Sequence, residues 1–144
     1  MPLSETSYRK VVWFGGLYDL IITLPFALPG LVSVQLETLA KIQAWLGLVG
    51  EFPVFDPFQL LFLNVFGSIA AIWGVLRIAK PEPMLGLTDG AMRAVLSGLM
   101  LYYLVAWNVP QIVVLFLVPE IALGVAQLGG YWLYRRKVQV VSRR

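Results

Sequence analysis

Four stretches of this chain, residues 11–31, 57–79, 91–109 and 111–134, carry almost nothing but apolar side chains. A helix climbs about 1.5 Å per residue, so a run of about 20 residues crosses about 30 Å of bilayer hydrocarbon. Lipid offers no partner to a bare peptide group, and a helix satisfies its own backbone. The expected fold is therefore all-α and integral to a membrane. It is a four-helix transmembrane bundle forming one domain over residues 1–144. The composition agrees, since 59% of residues are hydrophobic and only 13% charged, against about a quarter charged in a soluble domain. No polar or glycine-rich linker divides the chain.

Punctuation marks the ends of the runs. Asp56-Pro57 joins an N-cap acid to a proline at the first helical position, and Thr88-Asp89 offers a second N-cap before the third span. The turn Asn108-Val109-Pro110 makes the third and fourth spans antiparallel. The loop KPEPMLGLTDG between spans two and three is stiffened by its two prolines.

Basic residues set the orientation. Arg9 and Lys10 precede the first span, Arg77, Lys80 and Arg93 surround the loop between the second and third, and Arg135, Arg136, Lys137, Arg143 and Arg144 follow the fourth. Only Lys41 falls on the other side. The positive-inside rule then places both termini in the cytoplasm, with a bacterial cytoplasmic membrane as the expected location. The tail 135–144 also suits anionic lipid, and that role explains its charges without nucleic acid. Asp19 interrupts the first run and no small-x-small site follows it, so it reads as a retained span and not a signal peptide.

The segment between spans one and two is too polar for a fifth span. Val32, Leu36, Leu39, Ile42 and Leu46 recur at helical spacing, with Ser33, Glu37 and Lys41 opposite. An amphipathic helix over about 31–49 fits, lying either on the outer membrane surface with Trp45 at headgroup depth or as a lid on the bundle.

Polar residues inside the spans are the candidate site. Asp19 lies about 12 Å from the cytoplasmic end of span one and Glu120 about 14 Å from the outer end of span four, so both approach the midplane. Asn64 lies about 10 Å deep in span two. Each shares a face with small residues: Gly16 and Thr23 with Asp19; Gly67, Ala71 and Gly74 with Asn64; Gly124, Gln127 and Tyr131 with Glu120. Small residues let membrane helices approach and polar ones bond across the seam, so these faces point inward. With no Lys or Arg read at matching depth, Asp19 and Glu120 are expected to be protonated or to share a proton. Two roles fit them: hydrogen-bonded glue between helices, or a site for a proton, cation or ligand. Pro25, Pro29 and Pro119 strain backbone bonding nearby, as helices lining cavities do. Trp73 and Tyr102 lie near inner faces where a flat ligand can stack, although packing explains them too. Tyr8, Trp13, Trp107, Trp132 and Tyr134 read as an interfacial belt.

The chain contains neither His nor Cys. That removes the usual general base, thiolate nucleophiles, disulfides and the common zinc and haem ligands. No catalytic set, metal site or cofactor is expected.

The stretches YDLIITLPFALPG, FDPFQLLFLNVFGSIAAIWGVLRIAKPEP and DGAMRAVL resemble small four-span bacterial membrane proteins of the BphX-like and DoxX-like kind. That resemblance implies a four-helix membrane fold and not a reaction. The pattern also resembles the four-span EXPERA group, which implies paired intramembrane acids meeting a cationic centre in a lipophilic ligand. Asp19 and Glu120 would match in kind, while the His of that group's isomerases is missing. Three functions remain open: binding of a lipophilic or cationic small molecule among Asp19, Asn64, Glu120, Gln127, Trp73 and Tyr102; an accessory subunit of a larger membrane complex; and a proton-coupled carrier working as a homo-oligomer.

Overall fold

The structure, a computed structural model, describes residues 3–142, with side chains to residue 139. It consists of five helices: α1 (Glu5–Ala27), α2 (Leu31–Trp45), α3 (Pro57–Ala79), α4 (Pro83–Ala106) and α5 (Val114–Ser142), the last preceded by a 3₁₀ turn at Gln111–Val113. Among the described residues there is no strand. Four segments, α1, α3, α4 and α5 with its leading turn, are long and apolar enough to cross a membrane. The chain is thus an all-α, multi-pass membrane protein. Its outer surface carries the large apolar side chains, such as Phe66, Ile72, Val95 and Val125, each well over a third exposed.

The interior is built from glycine and charge instead. α1 and α3 lie so close that a Cβ on Gly16 would stand 2.8 Å from the Gly74 carbonyl oxygen, and one on Gly67 2.6 Å from the Phe26 carbonyl carbon. Only glycine allows that approach. α4 meets α5 at Gly90, where an added Cβ would lie 2.9 Å from Leu128 Cγ, and Arg93 Cβ packs over Gly124. Tyr8 of α1 is fully buried against Gly130 of α5 and Gly86 of α4. These contacts put the start of α1, the later turns of α5 and the α3–α4 connection at one end of the bundle.

At the opposite end the two longer connections are bonded together. Gln111 N donates to the Val49 carbonyl at 2.9 Å, Val49 N donates to Gln111 Oε1 at 3.1 Å, and Gln43 Nε2 donates to the Gly50 carbonyl at 2.7 Å. Gly50, at φ +109, lies against Pro110 where no side chain fits. α2 packs on this end through Val32, Leu39 and Gln43, leaving Ser33, Glu37 and Lys41 exposed.

Several boundaries differ from the sequence reading. α4 starts at Pro83, not after Asp89, because a proline at the first helical position pre-sets φ and the residues MLGLTDG continue the helix. Asp89 is therefore an interior residue and not a cap. α1 starts at Glu5, where Ser4 Oγ accepts from Ser7 N at 3.1 Å, and it ends at Ala27 before Pro29 and Gly30. α5 carries Arg135, Arg136 and Lys137 in its last turns; Arg143 and Arg144 lie outside the described residues. At α3, Asp56 and Gln59 close a reciprocal capping box, at 2.8 and 3.0 Å.

Candidate functional site

Helical spacing carries charge onto the inward faces. On α3, Gly67, Ala71 and Gly74 face α1, and one step further along that face is Arg77, fully buried. On α4, Gly86, Asp89, Gly90 and Arg93 are all buried at three- and four-residue intervals. α1 adds Asp19 beyond Tyr8, Val12 and Gly15, and α5 adds Gln127 and Glu120 on either side of Gly124.

These residues form one network across four helices. Arg77 pairs with Asp19 through Nη2 and with Asp89 through Nη1. Arg93 donates through Nε to Asp89 at 3.0 Å, through Nη2 to Asp19 at 2.6 Å and through Nη1 to Glu120 at 2.8 Å. Asp89 also accepts from Gln127 Nε2 at 2.7 Å and Trp73 Nε1 at 2.8 Å. The Tyr8 hydroxyl donates to the Gln127 carbonyl at 3.0 Å. An isolated ion in hydrocarbon is costly, and a planar guanidinium offering donors in several directions offsets that cost by bonding several carboxylates at once.

The acid pair thus has basic partners, contrary to the sequence expectation. The Arg93 guanidinium stands between Asp19 and Glu120. The error came from reading Arg77 and Arg93 as flanking charges, when α4 begins early enough to place Arg93 deep within it. Of the residues singled out from sequence, Asp19, Glu120, Gln127 and Trp73 belong to the network. Asn64 lies apart, its Nδ2 donating at 2.8 Å to the Phe26 carbonyl near the end of α1. Tyr102 is 55% exposed and stacks edge-on with Tyr103. Tyr8 is an interior residue and not part of a belt, whereas Trp107 and Trp132 are more than half exposed. Sequence reasoning missed Arg77, Asp89 and Arg93 as site residues. The available signal was the small-residue face of α3 and α4 running on, without a break in spacing, into each arginine.

Beside the network lies a cleft of about 330 Å³ bounded by all four long helices. Ile22, Phe26, Phe66, Leu96, Met100 and Phe116 line its walls, and Asp19 and Glu120 stand towards one end. Phe66 and Leu96 are 63% and 42% exposed, so the cleft opens onto the apolar surface. One oxygen of Glu120, Oε2, is buried and takes no hydrogen bond from the described residues. A larger hollow of about 680 Å³ lies at the chain-terminal end among Glu5, Arg9, Glu82 and Arg135, away from the network.

No family model, curated protein or solved structure matches this chain.

Proposed function

We propose that this protein binds a lipophilic small molecule in the apolar cleft, with the molecule's polar or cationic end at Glu120 and Asp19. One observation carries the reading: an apolar cleft opening on the apolar surface ends on two carboxyl groups, one with an unpaired buried oxygen. A molecule partitioned in lipid reaches such a cleft sideways, buries its hydrocarbon there, and sets its polar end against the carboxyl groups. The ion network holds Asp19 and Glu120 in place before anything binds, which limits the ordering cost of binding.

Mass spectrometry of small molecules released from protein purified in mild detergent tests the reading. Ala70 lines the cleft and makes none of the network's bonds, so Ala70→Phe fills the cleft without removing a charge. A defined molecule is expected from wild type, and its yield should fall at least tenfold in Ala70→Phe. Equal recovery from both would refute the assignment.

The same reading places both chain ends in the cytoplasm and α2 at the outer face. The excess of exposed basic residues at the chain-terminal end supports this, even with Arg77 and Arg93 set aside as interior groups. The chain has no Cys, so single substitutions report topology cleanly. On intact cells an impermeant thiol reagent should label Val54→Cys, whereas Gln139→Cys should react only after lysis. The reverse pattern would invert the orientation.

A further inference from the structure

The network joins three carboxylates, Asp19, Asp89 and Glu120, to two guanidiniums, Arg77 and Arg93. With every group ionised it keeps one uncompensated negative charge inside the bundle, where such a charge is strongly disfavoured. The three acids are not equally provided for. Asp89 receives donors from Arg77, Arg93, Gln127 and Trp73, and Asp19 receives one from each arginine. Glu120 receives a single bond, from Arg93 to Oε1, while Oε2 is buried with none. Hydrogen bonds to a carboxylate favour its charged form, so Glu120 is the least supported anion of the three.

The other charged or titratable groups around Glu120 are Tyr18 and Asp19 of α1, which border the same cleft, and Arg93 and Asp89 of α4, with Arg77 of α3 behind Asp19. The α3 wall of the cleft beside Glu120 is apolar.

We propose that Glu120 binds one exchangeable proton on Oε2, so that the buried network is electrically neutral. The proton site exists without any molecule in the cleft. Resting on the cleft reading, it adds that a cationic head group entering there replaces the proton, whereas a neutral one leaves it bound.

Infrared difference spectroscopy of the unliganded full chain in lipid nanodiscs, titrated from mildly acidic to mildly alkaline pH in H2O and D2O, tests the site. One deuterium-sensitive band of a protonated carboxyl is expected, titrating in that range and absent from Glu120→Gln. Gln mimics the neutral acid in size, so that variant should fold. Retention of the band in Glu120→Gln, or its absence from wild type, would each overturn the proposal. Because no ligand is used, failure here leaves the cleft reading standing, and an empty cleft leaves the band intact.

Discussion

Arg93 alone touches all three acids of the network. Removing one partner of a buried ion pair costs about 3–5 kcal/mol, which for a chain of this size is a drop of roughly 10 °C in Tm. Arg93→Gln should show that loss in mild detergent, whereas the exposed Arg135→Gln should leave Tm nearly unchanged. Arg93→Lys should recover less than half of it, because an ammonium cannot offer separate donors in three directions. Equal melting of Arg93→Gln and wild type would mean that the guanidinium is not held as described. At this scale the sequence was partly legible. Asp19 and Glu120 declared themselves as carboxylates in apolar runs, and Gln127 and Trp73 followed from helical faces. Arg77 and Arg93 did not, because each lies two residues inside the end of an expected span and was counted with the adjoining loop. Asp89 was hidden by its resemblance to a cap.

Among the elements, α1 and α3 form the tightest seam. A leucine at Gly74 would meet the Gly16 carbonyl at once, since even a Cβ there would lie 2.9 Å from that oxygen. Overpacking of this kind costs about 1–3 kcal/mol, so Gly74→Leu should lower Tm by several degrees. Gly98 has nothing near it, and Gly98→Ala should be neutral or slightly stabilising. Both variants can be compared by thermal unfolding in one detergent. Breaking the α3 capping box with Asp56→Ala should cost about 1 kcal/mol, a smaller shift in the same assay. The existence of the long helices was readable from composition and length. The start of α3 was readable too, from Asp56-Pro57; those of α1 and α4 were not, because Ser4 and Pro83 begin helices in polar sequence that a span-finding argument discards. The Val49–Gln111 and Gln43–Gly50 bonds were equally invisible, since they join residues distant in sequence or within an irregular turn.

For the whole molecule, the charges that matter most to cohesion are the ones least reached by solvent. Screening acts through mobile ions, and at about 1 M salt the Debye length is only about 3 Å in water. The Arg77 and Arg93 pairs lie out of contact with that water, while the Glu5–Arg9 pair lies in it. Tm should therefore change little from low salt to about 1 M salt; a large fall would mean that exposed pairs hold the bundle together. The network also has a consequence in time. In chain order its charged members are Asp19, Arg77, Asp89, Arg93 and Glu120, which alternate in sign. As the chain is synthesised, each new helix or half-helix brings the counter-charge to what precedes it, so a partly made bundle never carries more than one unmatched charge. Asp19 waits 58 residues for Arg77, and through that interval α1 remains a helix whose settled place in the bilayer depends on a segment not yet translated.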